Sequence, residues 1–450
     1  MKKLSSLLWA VCLFFGVISC HTGKIIDTVS VDGGQLQGVL TENPEVMVFK
    51  GVPYAAPPVG KLRWAAPQPV IPWEGVKVAD SFGSPAVQPG RAPGSFYYKE
   101  FQAEPLPPVS EDCLFLNVWA PARTVGHPEA KLPVVMWIHG GAYVNGYGND
   151  VAFDGEAWAQ RGVILVTINY RLWLLGFFSH PELTAENGYG SSGNQGTYDQ
   201  LAALQWVYDN IAQFGGDPAQ ITIMGQSAGA ASVKTLVASP LTRGLVSKAI
   251  IQSGGGLGGF LGGGSSDIPF STYDQIGKEA MDALGFDSLE KLRNATVEEL
   301  TQNRVRLMGG PHPDGRIVTL TFDEAAQAGE LLDIPYLIGS NGDDMGDQRE
   351  SINAFCALRS QQSSQPAYQY YFDRKLPGDD AGAFHSAELW YMFHTLGRCW
   401  RPMTQHDFEL SDRMMDYWTN FVKYANPNGP GADGPWKAST AEEPYTEQLN

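Results

Sequence analysis

Ser227 lies at the centre of a Gly-x-Ser-x-Gly stretch, Gly225 to Gly229, between two segments of different character. A β-branched apolar run, Ile221 to Met224, precedes the stretch, and a small-residue string beginning Ala230-Ala231 follows it. Between a strand and a helix this pattern is typical of a nucleophile elbow, a strained turn that lifts the serine hydroxyl above the sheet. Chance is the alternative, since the chain has 51 glycines. The flanking segments favour the elbow and make Ser227 a candidate nucleophile.

A nucleophilic serine needs a base to take its proton and a carboxylate to orient that base. In α/β hydrolases both follow the serine in the chain, the acid first and the histidine last. His385 comes one loop after the strand-like run AYQYYFD and just before a helical pattern, where the base belongs. His394 and His406 are more typical of structural or solvent-facing residues. His312 precedes the acid and is expected at most to line a pocket.

The acid should follow the strand-like run IPYLIGSN, which leads directly into the acidic turn GDDMGD. Spacing alone permits Asp343, Asp344 or Asp347. An acidic turn is usually only a solvated surface, so its interpretation depends on the elbow upstream.

Acyl transfer also requires donors for a developing oxyanion. The stretch WIHGGAY, Trp137 to Tyr143, follows a strand-like run and matches the HGGG-type loop that supplies one backbone N–H. Ala228, the residue after the nucleophile, supplies another. These donors complete a predicted site for attack on a carbonyl.

Strand-like and helical patterns alternate along the chain, which predicts an α/β fold with a mostly parallel sheet covered on both faces. The runs that read as strands are VMVFKGVPYA, CLFLNVW, LPVVMWIHGG, VILVTINYRL, ITIMG, KAIIQSGG, IPYLIGSN and AYQYYFD. A helix is predicted from Thr197. Residues 84–110 and 254–266 are rich in proline or glycine and are expected to be long loops. Such loops are often binding elements, and simple mobility is the alternative.

The first 20 residues predict an export signal. Lys2 and Lys3 precede an apolar stretch too short for a comfortable membrane span, and Val17 to Cys20 resembles a bacterial lipobox. We therefore expect a lipoprotein-type signal over residues 1–19, a lipid anchor at Cys20, and one domain over residues 20–450. The implied location is the periplasm or the cell surface of a bacterium, with the protein anchored to the membrane.

The chain has a net charge of −17 and no evident basic clusters, which excludes a nucleic-acid partner. Cleavage before Cys20 would leave Cys113, Cys356 and Cys399 in the folded part, and this odd number of cysteines excludes a disulfide scaffold. The sequence leaves the oligomeric state open.

Taken together, the motifs resemble those of the type-B carboxylesterases, the group that includes cholinesterases and bacterial p-nitrobenzyl esterases. The similar stretches cover nearly the whole mature chain: FKGVPYAAPPVGKLRW, SEDCLFLNVWAP, PVVMWIHGGAY, GNQGTYDQLAALQWVYDNIAQFGGDPAQITIMGQSAGAASV, GPHPDG, IGSNGDDM and GAFHSAEL. The resemblance implies the α/β-hydrolase fold with long loop insertions over the site. It implies that Ser227 is the nucleophile, Asp344 the acid and His385 the base, and that Gly141, Ala142 and Ala228 supply the oxyanion donors.

The sequence departs from the family pattern at several positions. The acid is commonly glutamate in the family, and the residue before the serine is usually glutamate where this chain has Gln226. No match to the choline-binding tryptophan region is evident, so a cholinesterase is not expected. The family usually pairs the cysteine at Cys113 with one in a preceding segment, which here reads FGSPAVQ and has none. The resemblance further implies the structural ion pairs Arg63–Glu111 and Arg171–Asp199.

The expected function is hydrolysis of small acyl or aryl esters through an acyl-enzyme on Ser227, with neither metal nor cofactor. Aromatic residues near the motifs, Tyr143, Trp173 and Trp390, are candidates for an apolar pocket, although packing in the core is the usual role of such residues. Two alternatives stand beside this hypothesis: a non-catalytic adhesion module of the same fold, and an amidase or lactonase that uses the same triad.

Overall fold

A computed structural model describes residues 26–101, 107–188, 190–258, 268–302, 309–430 and 434–450. The predicted signal over 1–19 and the predicted anchor at Cys20 lie outside these residues, as do parts of the loops at 84–110 and 254–266. The strands of the described chain are β1 Thr28–Val31, β2 Gly34–Gln37, β3 Val39–Leu40, β4 Val46–Pro53, β5 Val76–Val78, β6 Phe115–Pro121, β7 Leu132–Ile138, β8 Ile164–Ile168, β9 Gly216–Gln226, β10 Lys248–Gln252, β11 Tyr336–Asn341, β12 Ala367–Phe372 and β13 Glu447–Leu449.

The α-helices alternate with these strands over most of the chain. They are α1 Phe96–Phe101, α2 Glu156–Gln160, α3 Trp173–Phe177, α4 Pro181–Glu186, α5 Gln195–Asn210, α6 Ala228–Ala238, α7 Phe270–Ala283, α8 Leu289–Asn294, α9 Val297–Gln302, α10 Phe322–Ala328, α11 Arg349–Gln362, α12 Leu389–Met392 and α13 Gln405–Tyr424. Among the described residues, none of these helices is long and apolar enough to cross a membrane.

Ten strands form the main sheet, in the order β13-β12-β11-β10-β9-β7-β8-β6-β4-β3. Strands β7 to β13 pair in parallel, and only the β3, β4, β6 side is antiparallel. The central strands are almost wholly buried because helices cover both faces of the sheet. The predicted α/β-hydrolase fold with a mostly parallel sheet is confirmed.

Chain crossings bring the ends of several strands to one edge of this sheet. Strand β9 lies between β7 and β10, and β11 follows β10. All four are parallel, so the residues after their carboxyl ends meet along that edge. The segments that follow β7, β9 and β11 are those that the sequence predicted to carry the oxyanion loop, the serine and the acid.

The loop at 84–110 contains a short helix that the sequence did not predict, α1. The carboxylate of Glu100 on this helix is fully buried against Arg401, with Oε1 and Nη2 2.6 Å apart. The aromatic ring of Phe101 stacks on Trp390, with ring centroids 5.2 Å apart. These contacts fix α1 against the segment that follows His385.

The side-chain pairings implied by the family resemblance are present. Arg63 contacts Glu111 at 2.5 Å, and Arg171 contacts Asp199 at 2.7 Å with both side chains buried. Cys113, Cys356 and Cys399 are free thiols, and burial raises the pKa of each. The single-domain boundary at 20–450 stays a prediction.

Candidate active site

Ser227 occupies a strained turn between β9 and α6, with φ 57° and ψ −124°. Glycine is required on both sides because the neighbouring backbone comes very close. A Cβ at Gly225 would lie 2.4 Å from the carbonyl carbon of Gly229, and one at Gly229 would lie 2.0 Å from the carbonyl oxygen of Ile138. The Gly-x-Ser-x-Gly stretch therefore has the geometry of a nucleophile elbow.

His385 and Asp344 meet above the same edge of the sheet. Nδ1 of His385 lies 2.5 Å from Oδ1 of Asp344, and both side chains are almost completely buried. This contact assigns the proton of the neutral imidazole to Nδ1 and leaves Nε2 as an acceptor. The imidazole therefore has the tautomer that a general base for a serine requires.

The other two candidate acids make surface ion pairs instead. Asp343 accepts hydrogen bonds from the Lys375 ammonium, at 2.7 Å, and from the Ala383 N–H. Asp347 pairs with Arg349 at 2.6 Å, and both side chains are more than half exposed. Of the three aspartates that spacing permitted, Asp344 is the one that the fold brings to His385.

Asp344 is held by three further donors besides the histidine. The Ser253 hydroxyl, at 2.6 Å, and the Asn341 N–H donate to Oδ2, and the Met345 N–H donates to Oδ1. Burial alone would raise the pKa of Asp344, but the hydrogen bonds from His385, Ser253 and the Asn341 N–H lower it. The carboxylate is therefore charged and fixed in position. Ser253 follows β10, so the rule that located the acid could also have located this serine.

Gln226, the residue before the nucleophile, approaches the other side of the imidazole. Its side-chain nitrogen lies 3.2 Å from Nε2 of His385, the nitrogen that would accept the serine proton. Among the described residues, the Ser227 hydroxyl makes no hydrogen bond to His385. Apo active sites often have such loose contacts, which tighten when the substrate binds.

The oxyanion loop follows β7 and is built from unusual backbone conformations. Gly141 has φ 110° and Ala142 has φ 55°. A Cβ at Gly140 would lie 2.6 Å from the Gln226 carbonyl oxygen, so the loop approaches the elbow more closely than a side chain would permit. Ala228 is the first residue of α6, where a backbone N–H has no acceptor within the helix. The loop and this helix terminus thus present N–H donors beside Ser227.

The remaining histidines lie elsewhere. His394 pairs with Asp412 at 3.1 Å, and His406 is exposed on α13. His312 was a possible pocket residue, but it is buried in a different place. Its Nε2 lies 3.0 Å from the Ser192 carbonyl, and its ring stacks on Tyr273.

A cavity of about 250 Å³ opens at Ser227 and His385. Its aromatic lining comes from Tyr97, Phe101 and Phe153. The three aromatic candidates from the sequence do not line this cavity and have the packing role that is usual for such residues. Tyr143 and Trp390 are buried in the core, and Trp173 packs against the core at the start of α3. Among the described residues, no cluster of three or more His, Cys, Asp or Glu side chains could hold a metal ion.

The loop at 84–110 contacts both the oxyanion turn and the segment that carries His385. Near its beginning, the Gln88 amide makes reciprocal hydrogen bonds with the N–H and carbonyl of Gly146, at 2.8 and 2.9 Å. On α1, the Tyr97 hydroxyl donates to the carbonyl of His385 at 3.1 Å. Burial raises the pKa of Tyr97 to about 12, so its hydroxyl stays a donor. The loop therefore supports the oxyanion turn and the histidine together.

Glu388 is a buried carboxylate that the sequence reasoning missed. It lies three residues after His385 and is 0% exposed. The Asn341 amide donates to it at 2.5 Å, and burial raises its pKa to about 7. A second acid is thus present close to the Asp344–His385 pair, although no contact between Glu388 and the imidazole is present among the described residues.

Comparisons with known proteins agree with this geometry. The model of the carboxylesterase family matches residues 26–354 and 345–450. The cocaine esterase of Homo sapiens is 32% identical, with 96% of this chain and 87% of that protein covered. The para-nitrobenzyl esterase of Bacillus subtilis (strain 168) is 33% identical, with 90% and 92% covered. A solved Geobacillus stearothermophilus carboxylesterase superposes with a TM-score of 0.77 at 29% identity, covering 94% of this chain and 96% of that one.

Proposed function

This chain belongs to the carboxylesterase family and is a serine carboxylester hydrolase, and on that premise we propose that Ser227 is its nucleophile, His385 its base and Asp344 the acid. The observation that carries the assignment is the 2.5 Å contact between His385 and Asp344 beside a serine held in a strained elbow. Ser227 and His385 line one cavity, which gives an ester access to them, and Asp344 contacts the imidazole from its buried side.

The proposed reaction has two halves. His385 Nε2 takes the proton of Ser227 as Oγ attacks the ester carbonyl, and the same proton then goes to the leaving alcohol. The N–H groups of Gly141, Ala142 and Ala228 stabilise the negative oxygen of each tetrahedral intermediate. Water, activated by His385, then attacks the acyl-enzyme and releases the acid. Asp344 orients the imidazole and stabilises its positive charge in both halves.

Small acyl or aryl esters are the proposed substrates. The cavity at Ser227 is small, and Tyr97, Phe101, Phe153 and Leu389 give it apolar walls. A cavity of about 250 Å³ is below the usual range for drug-sized ligands, about 300 to 1,000 Å³, which favours short acyl groups.

A probe-labelling experiment tests the nucleophile. A fluorophosphonate should label the wild-type protein on the peptide that contains Ser227, and wild type should hydrolyse p-nitrophenyl acetate. Ser227→Ala should lose both labelling and turnover, while Ser81→Ala, an exposed serine, should retain both. Labelling of another residue in Ser227→Ala would contradict the assignment.

We further propose that the protein is exported and anchored by lipid at Cys20. The basic start, the short apolar stretch and Val17-Ile18-Ser19-Cys20 support this proposal. Mass spectrometry of the native protein should find an acylated Cys20 at the mature N-terminus. Cys20→Ala should stay unacylated, and an intact Met1 in the wild-type product would contradict the proposal.

A further inference from the structure

The cavity at Ser227, here called the inner compartment, adjoins a second cavity of similar size. This outer compartment also measures about 250 Å³ and has proline-rich walls from the loop at 84–110. Arg91 and Asn145 line both compartments, so they mark the boundary between them. Together the two cavities provide room for an ester with a substantial group on one side of the reacting bond.

Side chains with unused hydrogen-bonding capacity line the two compartments. Tyr147 is only 5% exposed and lines the outer compartment; its hydroxyl oxygen interacts with the Arg91 guanidinium, but its hydroxyl hydrogen has no acceptor among the described residues. Oδ1 of Asn145 likewise has no partner there. Each buried polar atom left unsatisfied costs about 1–3 kcal/mol, so such atoms require a ligand or ordered water.

His139 contributes a further acceptor in the inner compartment. It is 1% exposed, and its Nδ1 donates to the Gly140 carbonyl at 2.8 Å. Burial lowers the pKa of His139 to about 4, so the ring is neutral and Nε2 carries a lone pair. Nε2 has no partner among the described residues. The two compartments together therefore offer one hydroxyl hydrogen without an acceptor and two unpaired acceptors.

The charged side chains between the two compartments neutralise each other and so favour a neutral ligand. The Arg91 guanidinium forms an ion pair with Asp150 and donates to the Phe101 carbonyl at 2.7 Å. Because Asp150 neutralises Arg91, neither an anionic nor a cationic group gains from binding there. The complementary ligand is neutral and carries several groups that both donate and accept hydrogen bonds, which is the chemistry of hydroxyl groups.

We propose that the outer compartment binds a hydroxyl-rich alcohol, a sugar or polyol, so that the preferred substrates are acylated sugars. This inference rests on the proposed function, since the sugar is the leaving group in the first half of the reaction. The acyl group passes from the sugar oxygen to Ser227 Oγ, and His385 returns the serine proton to that oxygen. Water then replaces the serine, giving a carboxylic acid and the free sugar.

A purely hydrocarbon alcohol would leave the same polar atoms unsatisfied. A site built to hydrogen-bond a hydroxyl discriminates strongly against an analogue that lacks it, by about 10⁴ to 10⁵ in the best cases. Selectivity between a sugar and its hydrocarbon counterpart is thus the measurable consequence.

The test compares acetate esters that differ only in the alcohol. The purified enzyme is assayed on the 2-, 3- and 4-monoacetates of methyl β-glucopyranoside and on cyclohexyl acetate, a ring of the same size without hydroxyls. Each kcat/KM is divided by the rate constant for hydroxide-catalysed hydrolysis of that ester, which removes the effect of leaving-group acidity. At least one sugar monoacetate should exceed cyclohexyl acetate by about 100-fold or more.

Tyr147→Phe removes the hydroxyl donor and leaves the ring in place. It should lower the ratio of sugar-ester to p-nitrophenyl acetate kcat/KM by about 10-fold, the value of one hydrogen bond. Tyr424→Phe, an exposed tyrosine, should leave that ratio unchanged. Equal corrected values for cyclohexyl and sugar acetates, with p-nitrophenyl acetate still hydrolysed, would overturn the sugar inference alone. Failure to hydrolyse any of these esters would instead overturn the proposed function.

Discussion

The side-chain nitrogen of Gln226 lies 3.2 Å from Nε2 of His385, on the side of the ring opposite the contact with Asp344. A neutral amide at this position donates to the neutral imidazole and adds no charge to it. The glutamate usual in the family would instead stabilise the protonated ring. Gln226 therefore adds no charge beside the base, and its amide occupies the Nε2 position that Ser227 would use.

Gln226→Glu should move the acid limb of the kcat/KM profile to higher pH by about one unit or more, because an opposite charge within about 4–6 Å favours the protonated imidazole. The new carboxylate would act beside Asp344 and Glu388, the acids already near the ring. The measurement is a pH profile with p-nitrophenyl acetate from pH 4.5 to 9. Gln220→Glu adds the same charge to β9 six residues before Gln226, and it is the control for added charge. Superimposable profiles for Gln226→Glu and wild type would contradict this role.

Asp344→Asn should lower kcat by about 10,000-fold, because an amide favours the wrong imidazole tautomer while preserving the shape of the acid. Asp343→Asn and Asp347→Asn are matched controls from the same turn and should change turnover several-fold at most. Both contact surface cations rather than the histidine. Steady-state assays of the three variants decide the assignment, and a normal Asp344→Asn enzyme would remove Asp344 from the triad.

Glu388→Gln should change how stability depends on pH. Burial raises the pKa of Glu388 to about 7 from an ordinary 4.5, so the folded state holds its proton more tightly than the unfolded state. That stabilisation is complete below about pH 4.5 and is lost as the pH rises through about 7. The variant should therefore gain up to about 3 kcal/mol in unfolding free energy relative to wild type between pH 4.5 and 8. Urea unfolding of variant and wild type at pH 4.5 and at pH 8 measures this gain. The same difference in unfolding free energy at both pH values would contradict the prediction.

Glu100→Gln should destabilise the protein by about 1–3 kcal/mol, because it removes the buried carboxylate that pairs with Arg401 and leaves the partly exposed Asp379 as the remaining carboxylate partner. It should also lower kcat, since α1 carries Tyr97, which donates to the carbonyl of His385. Glu350→Gln, on the exposed start of α11, is the control. Thermal unfolding and p-nitrophenyl acetate turnover provide the two readouts. A loss below 1 kcal/mol would show that the pair contributes little.

The sequence singled out Ser227 and His385 as candidates because local chemistry restricts their positions. An elbow requires small residues around Ser227, and the order of strands limits the base to the region of His385. Spacing could not choose among three aspartates in one turn, since the choice depends on which side chain points inward, and only the family resemblance selected Asp344.

The cavity wall was not predictable from positions near the motifs. Trp390 and Tyr143 are close to site residues in the chain, but the fold uses them as core. Tyr97 and Phe101 reach the cavity because α1 docks through a buried ion pair formed with a residue 301 positions later. The contact between Gln226 and His385 likewise depends on a side-chain rotamer and on a fold that joins residues 159 positions apart.

The three thiols of the described chain affect how the enzyme can be produced. Cys113, Cys356 and Cys399 are unpaired, so no cross-link has to form for the described part of the fold to assemble. Production in a reducing bacterial cytosol should therefore give active enzyme without oxidative refolding, and purification can be carried out with reductant present. Cys399 is only partly buried, but its raised pKa, about 11, keeps its thiolate scarce at neutral pH. Maleimide reagents should consequently modify an engineered surface cysteine well before they modify the native thiols.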